Sequence, residues 1–299
     1  MLNLAYITWD FSPSVIPSFD VPRWYGIMWA LGYLIGLKIL ERMFKSEGVN
    51  KDWADKTFLY VLIGGILGAR LGHCLFYDWG YYSQHPLEIF KIWEGGLASH
   101  GGVLGILIAA YFLSRNVTKK NMLWIIDRIA VPTALAAGLI RLGNLFNSEI
   151  VGKETTSAIG FKFLRHDIYP SVAMTKTGRN TPNEAYDAIA NNPAFADLLS
   201  AVPVRYPTQL IEAICYLSIF AIMLYFYWKT NAKDLLGFLV GVFFFLLFMV
   251  RFFIEYIKIP QGGTDTGLGL LNTGQQLSIP LMAIGLFLVF RQLKKLKRN

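Results

Sequence analysis

The chain has 299 residues, of which 54% are hydrophobic and only 16% charged, with a formal net charge of +8. Soluble domains carry about a quarter charged residues, so this composition excludes an ordinary soluble domain and points to a polytopic membrane protein. The cations sit in short segments between apolar runs, which excludes the basic face of a nucleic-acid binder and fits membrane topology instead.

In chain order, residues 1–21 lack a basic start followed by an apolar stretch, so no cleavable signal peptide is expected there. A bilayer core about 30 Å thick needs roughly 20 apolar residues at 1.5 Å each. Spans meeting that test run approximately over 23–43, 57–77, 97–114, 122–146, 206–228, 235–257 and 275–292. The reading is an all-α polytopic membrane protein with about seven transmembrane helices. Pro132 lies inside the fourth span, where neighbouring helices can re-satisfy the backbone. Cys74 and Cys215 both fall in apolar stretches, so no disulfide framework or metal site is suggested. Neither an internal repeat nor a low-complexity segment is present.

Seven spans put the termini on opposite sides. Lys45, Lys51 and Lys56 follow the first span, Arg115, Lys119 and Lys120 the third, and Lys229 and Lys233 the fifth. The tail "RQLKKLKRN" adds five more cations, whereas the opposite short segments hold little beyond Arg23, Lys91 and Lys258. The positive-inside rule then places the C-terminus in the cytoplasm and the N-terminus outside. Residues 147–205 fall outside as well. A connection of that length in a compact protein is usually functional or disordered, and "TPNEAYDAIANNPAFADLLS" has the turn residues and apolar spacing of one or two short helices. The expected division is therefore 1–146 for an N-terminal tail and four spans, 147–205 for a small extracytoplasmic cap, and 206–299 for three spans and a basic tail.

Ionisable residues at membrane depth are costly, which makes each a candidate for function. They are Arg70, His100, Asp127, Arg128, Arg141, Arg251 and Glu255. His100 lies just inside the outer end of span three, and Arg141 and Asn144 near the outer end of span four, followed by Asn147 and Glu149. Arg251 and Glu255 share one helix face in the outer third of span six, and Tyr25 and Tyr77 flank spans one and two on the same side. Each has an ordinary alternative: an i,i+4 ion pair, a structural histidine, an interfacial aromatic belt. Their common depth favours a site near the outer leaflet. Asp127 and Arg128 lie near the inner end of span four and read as structural or snorkelling residues, and the sequence does not decide Arg70.

Two arginines suit a phosphate, which guanidinium groups bind through bidentate, charge-assisted bonds. At this depth the phosphate is that of an outer-leaflet phospholipid. His100 could accept a proton near neutral pH, and Gly101 and Gly102 would let a substrate approach the backbone and loosen the helix start.

These segments resemble the phosphatidylglycerol–prolipoprotein diacylglyceryl transferases of bacteria. "RLGNLFNSEIVG" fits the family signature at Arg141, Gly143, Asn144, Asn147, Glu149 and Gly152, with Ile140 and Leu145 departing from it. "RWYGIMW" places the family's tyrosine at Tyr25, and "GARLGHCLFY" resembles the second span, with His73 where an aromatic residue is common. "GGLASHGGVLG" assigns the essential histidine to His100. "YPTQLIEA", "RFFIEYIKIPQ" and "GQQLSIPLMAIG" match in order, with Tyr206, Thr208, Ile211 and Lys258 as substitutions. The resemblance covers nearly all of residues 22–290, the cap being its loosest part.

The resemblance implies transfer of a diacylglyceryl group from phosphatidylglycerol to the lipobox cysteine thiol of a prolipoprotein, forming a thioether and releasing glycerol phosphate, the first step of lipoprotein maturation. It implies a bacterial inner-membrane enzyme with His100, Arg141 and Arg251 catalytic. Tyr25, Tyr77, Gly101, Gly102, Asn144, Asn147, Glu149 and Glu255 would bind substrate. Neither metal nor organic cofactor is implied, and no nucleic acid is an expected partner. The alternatives are a phospholipid transporter or scramblase, which should show polar residues at several depths, and a non-enzymatic receptor for lipoproteins, which would not need His100 beside paired arginines.

Overall fold

The computed structural model describes residues 6–17, 19, 21–157, 159–260 and 271–296. Among these, seven helices have 15 residues or more: α1 (Trp24–Ser46), α2 (Asp52–Phe76), α3 (Ser99–Leu113), α4 (Met122–Phe146), α5 (Thr208–Lys229), α6 (Phe238–Ile254) and α7 (Thr273–Leu296). Five segments are long and apolar enough to cross a bilayer: Asp52–Phe76, His100–Thr118, Met122–Phe146, Thr208–Lys229 and Thr273–Lys294. Helix α6 is apolar but runs 17 residues, and the 23-residue α1 carries Lys38, Glu41, Arg42 and Lys45 in its second half. The protein is an all-α polytopic membrane protein. The end of its basic tail, residues 297–299, lies outside the described residues.

Helix α2 shows why these segments pack as they do. Leu59, Ile63, Leu67, Leu71 and Leu75 recur every four residues and are all exposed, a stripe that suits lipid and that water would not tolerate. An adjacent face carries Gly64, Gly68 and Gly72 and lies on α3. A Cβ on Gly72 would stand 2.7 Å from the Cα of Gly101, and one on Gly68 2.8 Å from the Cα of Gly105. Lipid gives helices no hydrophobic reason to associate, so close backbone contact across small residues supplies the attraction. Helices α1 and α4 use the same device, with Gly32 against Ala136 and Gly36 against Pro132.

At the end bearing the C-terminus of α7, the buried charges of Arg128 and Asp127 are fully paired. Arg128 donates to both carboxylate oxygens of Glu47, at 3.0 and 2.8 Å, and to the Lys233 carbonyl at 2.9 Å. Trp124 Nε1 and the Tyr227 hydroxyl donate to the same carboxylate. Asp127 accepts from the backbone N–H groups of Gly237 and Val240 at 2.6 and 2.9 Å, capping α6. Both residues are buried structural elements, and neither snorkels.

Among the described residues, 147–205 hold four short α-helices, Leu164–Asp167, Pro170–Thr177, Pro182–Asn191 and Ala196–Ala201; the last two lie in the stretch whose spacing suggested one or two, and the first two precede it. Thr181 caps the third, accepting from the N–H of Glu184 at 3.3 Å in the Thr-x-x-Glu arrangement that marks a helix start. Leu164, Ala173, Ala185, Tyr186, Ile189 and Val202 form a separate small core. Strand β1 (Ile7–Trp9) pairs in parallel with β2 (Phe161–Phe163), and Arg165 donates to the Asp10 carbonyl at 3.0 Å. The N-terminal segment, grouped by sequence with the first helices, thus packs against this layer.

Candidate functional site

The other end of the bundle is organised around the last turn of α4. Arg141 Nε lies 3.2 Å from Glu212 Oε2 on α5, and Glu212 is wholly buried. The Tyr216 hydroxyl donates to the second Glu212 oxygen at 3.0 Å. Arg141 Nη1 donates to Asn144 Oδ1 at 3.3 Å, while Asn144 and Asn147 donate to Glu149 Oε1 at 2.9 and 3.2 Å. Arg141, Asn144, Asn147 and Glu149 therefore form one continuous polar network.

The backbone that presents Glu149 is strained. Ser148 and Ile150 have φ of 54° and 59°, a region costly for any residue with a Cβ and most costly for a β-branched one. Surrounding bonds hold it there: Gln209 Nε2 donates to the Glu149 carbonyl at 2.7 Å and Thr208 Oγ1 to the Ile150 carbonyl at 2.8 Å. Two residues on, Gly152 runs between neighbouring chains. A Cβ there would lie 2.6 Å from the Tyr206 carbonyl oxygen and 2.9 Å from that of Ile257, so only glycine fits.

Arg251 and Glu255 close the site from α6. Their four-residue spacing allowed an ion pair, but among the described residues Glu255 is held instead by Lys258 Nζ at 3.9 Å and Asn272 Nδ2 at 3.3 Å. Gly274, at the start of α7, admits the carboxylate so closely that a Cβ would meet Glu255 Oε1 at 2.6 Å. Burial pushes the Lys258 ammonium, beyond the end of α6, below its ordinary range; after burial it feels Glu212, Arg141, Glu255 and Arg251 in turn. Three cations and two carboxylates from α4, α5, α6 and the segment just beyond it thus share one electrostatic neighbourhood, a setting that can hold a phosphate against competing water.

Tyr25, in the first turn of α1, packs on the signature glycine: its Cδ2 would lie 2.9 Å from a Cβ on Gly143. His100, Gly101, Gly102 and Tyr77 form a second group on α2 and α3. His100 is exposed in the first turn of α3, and among the described residues no hydrogen bond or ion pair joins it to the arginine cluster. Gly101 is buried in the α2–α3 seam, so its small size serves helix packing where the sequence suggested substrate approach. Gly102 lies beside it, with Ala69 Cβ 3.5 Å from where its own would be. Tyr77 is 65% exposed and stacks on His73 at 5.9 Å.

Arg70, undecided in sequence, shapes the approach to His100. It is 2% exposed and donates to the carbonyls of Glu88, Ile89, Gly95 and Gly96 at 2.5–3.4 Å. It thereby pins the connection leading into "SHGG".

Sequence reasoning passed over Glu212, Gln209, Thr208 and Lys258 as site residues, although all lie in segments quoted for the resemblance. For Glu212 the signal was present: it is a carboxylate in an apolar helix at the same depth as Arg141. Among the described residues no three of His, Cys, Asp or Glu gather where they could hold a metal ion.

Comparison with known proteins identifies the family. The family profile described as "Prolipoprotein diacylglyceryl transferase" matches residues 14–291. A Porphyromonas gingivalis protein named "Phosphatidylglycerol--prolipoprotein diacylglyceryl transferase" is 44% identical over 297 residues, covering 97% of this chain and 96% of its own. Proteins of the same name from Chloroherpeton thalassium and Tolumonas auensis are 41% and 38% identical, each over 97% of this chain and covering 96% and 99% of their own lengths. With the profile matching nearly the whole chain and these relatives 38–44% identical over 97% of it, the chain belongs to the prolipoprotein diacylglyceryl transferase family.

Proposed function

We propose that the protein transfers the diacylglyceryl group of phosphatidylglycerol to the lipobox cysteine of prolipoproteins at the outer face of the bacterial inner membrane. The observation that carries this reading is the clustering of Arg141, Arg251 and Lys258 around buried carboxylates at one end of a membrane bundle. Arg141 and Arg251 hold the lipid phosphate, Glu149 and Glu212 orient Arg141 through Asn144 and directly, and Glu255 seats the start of α7 beside Arg251. Tyr25 and Tyr77 flank the lipid, with Gly101 and Gly102 setting the position of α3. Residues 147–205 form an extracytoplasmic cap, and the basic tail lies in the cytoplasm.

In the reaction the thiol sulfur bonds to the glyceryl carbon as the carbon–oxygen bond to phosphate breaks. The bonding pair leaves with glycerol phosphate, whose growing charge the arginines stabilise. A thiol has an ordinary pKa near 8.5 and reacts as thiolate, so His100 takes its proton. The exposed position of His100 leaves it open to an incoming signal peptide.

The test is transfer of labelled diacylglyceryl from phosphatidylglycerol to a lipobox peptide by the purified chain. A thioether product is expected. Lipid movement between leaflets without product would favour a transporter or scramblase. Orientation is tested with cysteines placed at Ser157 and at Asn299 (which lies outside the described residues) and an impermeant thiol reagent on spheroplasts. Labelling at 157 but not 299 is expected, and the reverse would move the site to the other leaflet.

A further inference from the structure

At the end opposite the site, α3 passes through a π-helical turn, Ser114–Thr118, before reaching α4. Such turns are uncommon and often mark functional positions. Ser114 Oγ donates to the Lys120 carbonyl at 2.6 Å, closing the loop, and Lys119 is held at φ 54°. The loop bounds an open cavity of about 650 Å³ lined by Tyr111, Ser114, Arg115, Lys119, Lys120, Asn121 and Met122. Three of these seven side chains are cationic and none is acidic. Among the described residues no carboxylate pairs with any of the three: the Lys119 ammonium donates only to the Arg115 carbonyl and Lys120 lies over the Trp124 ring at 5.9 Å, whereas Arg128 at the same end is paired with Glu47.

The cavity does not end in water alone. Leu104, Ile108, Tyr111 and Phe112 are exposed on α3, and their spacing places them on one face leading up to it. Arg115 lies over the Tyr111 ring at 5.6 Å, joining the basic lining to that apolar stripe. A polar, cationic basin above a lipid-facing strip has the shape and polarity of an amphiphile with an anionic head. We propose that this basin binds the phosphate of an anionic phospholipid from the adjoining leaflet, with an acyl chain lying along α3. The site is separate from the arginine cluster and does not depend on the reaction proposed above.

The probe is amine labelling of the full chain in nanodiscs of phosphatidylcholine, with and without phosphatidylglycerol. Lys51 and Lys229, exposed at the same end, report the general surface charge. Phosphatidylglycerol should slow labelling of Lys119 and Lys120 several-fold more than that of Lys51 and Lys229. Equal slowing at all four would reduce the basin to ordinary surface charge and overturn the proposal. Equal protection by inorganic phosphate in phosphatidylcholine discs would overturn it in favour of a free-anion site. Arg115→Gln combined with Lys119→Gln should weaken retention about fivefold per cation removed and leave diacylglyceryl transfer unchanged. Unchanged lipid retention in that variant would also refute the site.

Discussion

At the tail end of the bundle, Arg128 and Asp127 are buried and every strong bond they need is made, by Glu47, the Lys233 carbonyl and two backbone N–H groups of α6. At the site end, Arg141 shares its bonds between Glu212 and Asn144. Buried oxygens of Asn147, Ser148 and Gln209 there have no hydrogen-bond partner among the described residues, and the connecting turn holds two strained residues. Both ends bury an arginine against a glutamate, yet one arrangement is closed and the other is not. A satisfied polar network fixes a fold. Strain and incomplete satisfaction belong where a ligand is to complete the set. The contrast holds for the two arginine networks themselves, since Thr57 Oγ1 and Arg291 Nε at the tail end are also buried without a hydrogen-bond partner among the described residues.

Substitutions that separate chemistry from stability sharpen the contrast. His100→Gln keeps hydrogen bonding and loses the base. Turnover of a lipobox peptide should fall by about 10²–10⁴-fold, with lipid binding retained. Wild-type turnover at pH 7 would make His100 structural. Arg141→Lys keeps the charge but not the planar fork. A lost contact worth about 2–5 kcal/mol should lower the rate by roughly two to three orders of magnitude, with little change in thermal unfolding. Near-normal turnover would remove the bidentate contact from the scheme.

The tail end should respond in the opposite sense. Glu47→Gln leaves the Arg128 guanidinium, which is almost wholly buried, without its counter-charge. Breaking such a pair costs about 3 kcal/mol, so the midpoint of thermal unfolding should drop while turnover per folded molecule is kept. A variant that unfolds normally but turns over slowly would mean the two ends are coupled. The smallest effect is expected from Ile150→Gly. Relief of backbone strain, less the entropy glycine adds to the unfolded chain, should stabilise by about 1 kcal/mol. Turnover should fall as the Glu149 turn loosens, and a variant both more stable and fully active would deny the strain any role.

Much of this architecture was legible in the chain because membrane physics is read one segment at a time. The apolar runs, five of which are long and apolar enough to cross a bilayer among the described residues, and the short basic loops between them follow from lipid thickness and helix period, without reference to neighbours. The depth of His100, Arg141 and Arg251 followed from the same counting. What only tertiary structure decided was pairing. The spacing of Arg251 and Glu255 allowed an ion pair, but the glutamate turned to Lys258 and Asn272 across the α6–α7 connection. Gly101 stood beside a candidate base, but close packing against Gly68 and Gly72 of α2 claimed it. Arg70 had no partner on its own helix, and its carbonyl acceptors lie 18 to 26 residues onward. Burial depth is set by local composition, whereas the choice among several possible partners depends on which helices approach closely enough, and that is settled where small residues from distant segments meet.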